Sequence, residues 1–380
     1  MSTLWPFDAL PGYTETLRWR TEAMTTYAGE QRQAMMPYPD VELTFQLDMD
    51  AEEFAKARQL QRAVGTSEFA IPLWEQCDHI GAISAHQVDV SLATADKDYV
   101  AGGYLMAWSA HTYCESCLID SFDADSVTLD PWIVGPHSNA WVCPLVDGRL
   151  IKPLSAQRRD NASALVSSTF LLSTASSLTP VAYAQYRSHE LTLFRPHLAG
   201  SDSETFTHQA VTLESAGGAR AYAEKRDEPE LTSSLSWFCR TRAETQELRE
   251  WLHGRLGACT SFWRPSWNQD VTITKAVGIG DTTIEINEVG FLSLYPNPSD
   301  FTIIKTDGTA VAFRATGASS AGGGKENITL SAAMTVAVPI AEISKTSRIA
   351  LVRLASDTVE IRHIGNGQAE CSVPLVEVFE

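Results

Sequence analysis

Residues Gly257–Asp270 read GACTSFWRPSWNQD, and Gly65–Asp78 read GTSEFAIPLWEQCD. Gly65, Phe69, Pro72, Trp74 and Gln76 keep the order of Gly257, Phe262, Pro265, Trp267 and Gln269, with spacings that differ by one residue, at the step from Gly to Phe. A ligand pocket rarely arises twice in one chain, so an aromatic–proline–aromatic run that recurs points to architecture. Each run follows a helix-like segment and reads as a strand returning to cover that helix. Its aromatics, Trp263 and Trp267 among them, are expected to pack, each contributing ~2–3 kcal/mol when fully buried. Gln269 or a neighbour is expected to satisfy an indole or a backbone group.

Upstream, DAEEFAKARQLQRAVG places Phe54, Ala57, Leu60 and Val64 on one face, with Asp50 as N-cap. TRAETQELREWLHGRLG does the same with Leu248, Trp251, Leu252 and Leu256 behind Thr241. The spacing predicts helices over 51–64 and 243–256, stopped at Gly65 and Gly257. A strand-like run precedes each helix, from Pro39 (PDVELTFQLD) and from Pro229 (PELTSSLSWFCR), with period-two alternation clearest in Val41, Leu43, Phe45 and Leu47. LWPFDALPGYTETL echoes LFRPHLAGSDSETF, and YAGEQR echoes SAGGAR.

Downstream the order continues. HQVDVSLA pairs in kind with DTTIEINE and DSVTLDPW with ENITLSAA, and the halves close on SALVSSTFLL and AECSVPLVEV. The chain therefore divides near residue 190 into similar, mainly β halves, 1–190 and 191–380. Each has one helix and a β-rich insertion, at about 77–145 and about 270–340.

With 380 residues, 44% hydrophobic and 20% charged, the chain has material for two or three domains and no compositional sign of disorder. It has no run of about 18 apolar residues, so no membrane insertion is expected, and MSTLWPFDALPGY lacks the basic and apolar regions of a secretory signal. Seven cysteines suit a reducing compartment better than a disulfide scaffold. The net charge of -18 disfavours wrapping nucleic acid, which needs clustered Lys and Arg; solubility accounts for it, and it does not forbid a surface along which DNA slides without sticking.

Chemistry-bearing motifs are sparse. HTYCESC offers His111, Cys114 and Cys117, but a zinc or iron–sulfur site needs four ligands and no second Cys-x-x-Cys exists. Cys143, or Cys77 with His79, would have to complete it from afar. The motif leads into a strand-like run instead of starting a helix, as a redox Cys-x-x-Cys would. AGGGKEN (Ala321–Asn327) reads as a hairpin tip, because it lacks the Lys-Ser/Thr of a phosphate loop. Asp123 and Asp125 read as loop carboxylates. No catalytic, cofactor-binding or metal residue is assigned, and no cofactor is expected.

WLHGRLGACTSFWRPSWNQD, supported by GTSEFAIPLWEQ, LIDSFDADSVTL and WVCPLVDGRL, resembles the tail-tip (baseplate) structural proteins of long non-contractile-tailed bacteriophages, of distal-tail or hub type. The resemblance covers most of the chain and brings no catalytic residues with it. It implies tail-tube-like β-sandwich domains assembled as a ring around a DNA channel at the virion's tail tip, after synthesis in the host cytoplasm. The implied partners are other copies of the chain (a trimer favoured over a hexamer), the tail tube protein, and tail-tip and fibre proteins. DNA would pass without specific binding. The competing classes are a carbohydrate-binding β-sandwich module, which would show exposed aromatics in one copy, and a β-scaffold hydrolase, which would need a catalytic constellation.

Overall fold

Alternation decides the first structural layer. In strand Asp40–Asp50, Val41, Leu43, Phe45, Leu47 and Met49 are buried; in strand Glu230–Cys239, Leu231, Ser233, Leu235, Trp237 and Cys239 are buried. The computed structural model describes every residue except 1, 27–28, 66, 160–161, 174–177, 197–202, 208–209, 215–217, 219, 225–229, 296–297, 366 and 379–380. Pro229 and parts of the YAGEQR, SAGGAR and LFRPHLAGSDSETF echoes lie outside the described residues.

Each of these strands runs directly into a helix, α1 (Ala51–Val64) or α2 (Arg242–Arg255). Asp50 caps α1 by accepting from Glu53 N at 2.8 Å, and Glu53 reciprocates at Asp50 N, completing a capping box. Thr241 Oγ1 accepts from Glu244 N at 3.3 Å at the start of α2. Leu256 is left-handed at the end of α2 and Gly257 follows it at positive φ, so the stop begins one residue before the expected glycine.

The fold is mainly β. Eight antiparallel strands form one continuous sheet in the order Ser155–Arg158, Ser163–Leu172, Asp40–Asp50, Tyr13–Arg18, Thr358–Gly365, Gln368–Glu377, Glu230–Cys239, Ser203–Thr207. The first four come from the first half of the chain and the last four from the second. Behind it, Phe69–Pro72 runs parallel to Thr3–Leu4 and antiparallel to His137–Leu150. Phe262–Pro265 likewise runs parallel to His189–Leu191 and antiparallel to Ile343–Leu354. The pairing of Gln185–Tyr186 with His189–Leu191 joins residues just before the expected boundary to this second set.

One hydrophobic core spans both halves, with Trp5, Phe45, Phe69 and Phe170 beside Trp237, Trp251, Phe262 and Leu375. The insertions carry separate cores, one around Val90, Leu105, Val127 and Val142, the other around Ile286, Phe301, Phe313 and Ile328. In both insertions the two runs matched in sequence pair antiparallel, Asp89–Ser91 with Ser126–Leu129 and Thr283–Asn287 with Lys325–Leu330. The second insertion also holds a one-turn helix, Phe291–Leu294, which corrects the expectation of a single helix in that half.

Candidate assembly interface

The two four-stranded sets meet where Tyr13–Arg18 lies against Thr358–Gly365, with Glu15 opposite Ile361 and Leu17 opposite Val359. Leu17 is 0% exposed in this joint. Glu15 is also buried, and a buried carboxylate is costly unless it is paired. Arg249 Nε on α2 donates to one of its oxygens at 3.2 Å and His363 Nε2 to the other at 2.9 Å. Burial alone would raise the Glu15 pKa; Arg249 and then His363 override it and hold the group at about 2. Arg249 Nη1 reaches both oxygens of Asp98 at 3.2 Å. Asp98 is fixed by the Gln76 amide, which donates to its carboxylate at 2.9 Å and accepts from its backbone N–H at 2.7 Å. The glutamine singled out in the first Pro-x-Trp-x-Gln run thus braces the ion network between the halves.

A hairpin straps the joint from outside. Thr21–Thr26 and Gly29–Ala34 pair with each other and reach across to the second half. Glu30 takes both ends of the Arg353 guanidinium at 3.1 and 3.0 Å. Arg32 donates to Ala258 O at 3.2 Å and Ser261 Oγ at 2.6 Å. Asp357 accepts from Thr21 N and Oγ1, both at 2.7 Å, and from Ala258 N at 2.8 Å. This crowding explains Gly257: a Cβ there would lie 2.5 Å from Asp357 Oδ1 and 2.8 Å from Trp19 Cβ. A Cβ on Gly65, its counterpart in the sequence repeat, would meet nothing within 4 Å.

At its outer limits the eight-stranded sheet ends in Ser155–Arg158 and Ser203–Thr207, two edges with no further strand partner among the described residues and both exposed along their lengths. Phe206 is 57% exposed on the second of them. Beside that edge Glu204, Phe206, Leu231, Arg264 and Arg348 line a cavity of about 340 Å³. A second hairpin, Ala210–Glu214 with Arg220–Glu224, stands nearby and exposes Leu213 and Tyr222. The sheet face turned away from the core is rich in hydroxyls, with Thr44 bonded to Thr169 at 3.2 Å and Ser236 to Ser372 at 3.0 Å. Arg18–Glu42 and Arg362–Glu370 are ion pairs on it, and Asp40 and Glu360 add further carboxylates to the same face.

The residues that the sequence brings forward divide between packing and solvent. Trp263 is buried and its indole donates to Tyr186 O at 2.8 Å. Trp267 is buried at a φ of 61°, a conformation bulky residues rarely adopt. Trp74 is half-buried and meets Trp108 edge to face at 5.4 Å. Gln269 serves backbone groups, donating to Val271 O at 2.5 Å and accepting from Thr346 N at 3.2 Å.

Cys114 and Cys117 lie on one strand, Tyr113–Phe122, three positions apart and therefore on opposite faces. Cys114 joins an apolar cluster with Met106 and Cys143, Cys117 another with Ile119 and Val142. Burial pushes the Cys117 thiol up to about 12. His111 faces Glu53 at 3.1 Å, and His79 bonds Asn139. Among the described residues no group of three or more His, Cys, Asp or Glu is placed to hold a metal ion. Asp123 closes a turn, accepting from the N–H groups of Asp125 and Ser126. Gly322, Gly323 and Gly324 form the tip between Ala310–Ser320 and Lys325–Leu330, all at positive φ.

Exposed aromatics sit mainly on the first insertion, including Tyr113, Phe122, Trp132 and Trp141. No helix of the described residues is long and apolar enough to cross a membrane. No known protein-family model matches the chain, and neither does any curated protein.

Proposed function

We propose that this chain is a virion structural protein, not an enzyme, that forms a ring at the distal end of a phage tail. It joins the tail tube to the tip and surrounds the DNA channel. In this reading each chain supplies two copies of one tube-like domain, divided near residue 190, and three chains complete a pseudo-sixfold ring; six chains in two layers is the alternative for a distal tail protein.

The observation that carries the reading is the intrachain joint. One four-stranded set is docked on the next through a buried ladder and ion network, while the outermost strands of the sheet have no outer partner among the described residues. Unpaired edges are a liability that proteins usually cover or fill, and a head-to-tail contact that can repeat closes into a ring when its rotation permits. The hydroxyl-rich sheet face, with more carboxylates than cations, suits a channel wall, since it offers phosphate few cations and leaves little for salt to displace.

The mass of the purified protein, measured by native mass spectrometry alone and beside its tail tube, tests this reading, together with electron microscopy of the particles. A trimer with a central opening and negligible binding of duplex DNA at moderate salt is the expected result. A chain that stays monomeric in both settings, or tight salt-sensitive DNA binding, would overturn it.

A further inference from the structure

Resting on that ring reading, the pairing pattern reaches the level of residues. In strands Asp40–Asp50 and Glu230–Cys239 the buried residues correspond in order, Leu43 with Ser233, Leu47 with Trp237 and Met49 with Cys239. Glu15 stands opposite Leu43, and Glu204 stands opposite Ser233. On the other side, Ile361 follows Cys371 opposite Trp237, and Ala156 follows Val166 opposite Leu47. His363 and Arg158 correspond through Met49 and Cys239 in the same way. Arg249 and Arg58 each lie eight residues past their N-caps, Thr241 and Asp50.

We infer that a second copy of this chain adds its Ser203–Thr207 edge, antiparallel, to the Ser155–Arg158 edge of the first, setting Glu204 opposite Ala156 as Glu15 is set opposite Ile361. Arg58 of the receiving copy then takes the position of Arg249, and Arg158 that of His363.

Several independent observations fit one occupant. Charge is complementary, a carboxylate on one edge facing two guanidinium groups on the other. Phe206 is exposed where its counterpart Leu17 is sealed, and it falls opposite Leu154 as Leu17 falls opposite Val359. Arg58 is exposed where Arg249 is enclosed, and Gly65 faces open space where Gly257 is walled by Trp19. Within one chain Glu204 accepts from Arg264 at 2.8 Å, so its carboxylate is already held on the edge. One contact is not reproduced: the position of Asp357 corresponds to Lys152, so the joint between copies lacks that clamp.

The test is a disulfide that can form only between copies. Glu204 and Ala156 of one chain sit at opposite limits of the eight-stranded sheet, roughly 30 Å apart, far beyond disulfide reach. In a Glu204→Cys, Ala156→Cys chain, mild oxidation should give covalent dimers and trimers on a non-reducing gel, with the 204–156 peptide identified by mass spectrometry. Moving the second cysteine one residue, to Gln157→Cys, turns it to the other face and should cut the yield by roughly tenfold or more. Independently, Glu204→Arg should weaken self-association by roughly tenfold or more, and adding Arg58→Glu should restore part of it. A ring that assembles without 204–156 linkage, or that ignores Glu204→Arg, overturns the inference and leaves the ring reading standing. A chain that never self-associates, alone or beside the tail, overturns both.

Discussion

Replacing Glu15 with Gln removes the anion at the centre of the joint while keeping its shape. Its folded-state pKa of about 2, against an ordinary 4.5, corresponds to about 3 kcal/mol of stabilisation at neutral pH. Breaking a buried ion pair by removing one partner typically costs ~3–5 kcal/mol. Arg249 keeps Asp98 as a partner, so the loss belongs at the lower end, and the two routes agree on about 3 kcal/mol. The pH dependence follows with a definite sign. The folded-state pKa is depressed, so the unfolded chain binds the proton first as the medium is acidified. The contribution is complete above about 4.5 and is lost as pH falls toward 2. Urea unfolding followed by tryptophan fluorescence should show Glu15→Gln weaker by about 3 kcal/mol at pH 7, with the gap closing below pH 4.5. A variant within about 0.5 kcal/mol of the parent at pH 7, or a gap indifferent to pH, would refute the assignment of Glu15 as the anion that locks the halves.

Four further outcomes are expected. His253 is buried near Arg249, and burial first and that charge second lower its pKa to about 4, so it must fold neutral; the parent should lose stability between pH 6.5 and 4, and His253→Gln should flatten that loss. Trp251, fully buried against Trp237 and Phe262, should cost ~3–5 kcal/mol on replacement by Ala, measured by denaturant midpoint. Trp267→Ala should approach that cost because the ring is 7% exposed, while half-buried Trp74→Ala should cost roughly half as much; equal stability with loss of a small-molecule ligand would instead restore a pocket reading for Trp267. Cys117 should resist alkylation at pH 8 until the chain is unfolded, because its thiol is both buried and held near 12.

Both long helices were legible because their signals are local. Capping residues, a helical apolar stripe and a following glycine all lie within one short window, and α1 and α2 begin where Asp50 and Thr241 place them. The inward face of Asp40–Asp50 was equally plain from its alternation. The joint was not legible, since Arg249 meets Glu15 across 234 positions and nothing near either residue specifies the other. A polar residue inside YTETLR, where the neighbouring Leu17 is fully buried, was the available trace of it. His137–Leu150 also escaped the period-two reading, because it pairs successively with strands of the insertion and of the main body, and its buried face changes along its length. Cys114 and Cys117 illustrate the converse, for a ligand-like spacing loses its meaning once the segment is a strand.

The core that runs from Trp5 through Trp251 to Leu375 changes what the connection between Leu172 and Gln185 does. In a protein with independent lobes such a connection is a hinge, and its length sets how far the lobes swing. Here the lobes are already fused by buried side chains, six ladder positions and a charge network, and Tyr183 of the connection itself packs on the core and donates to Glu247 at 3.2 Å, so what the covalent link adds is a fixed stoichiometry. It guarantees that each first half is made with one second half and meets it at the high effective concentration of an intramolecular encounter. A protease cut there would divide the polypeptide and leave its two halves joined.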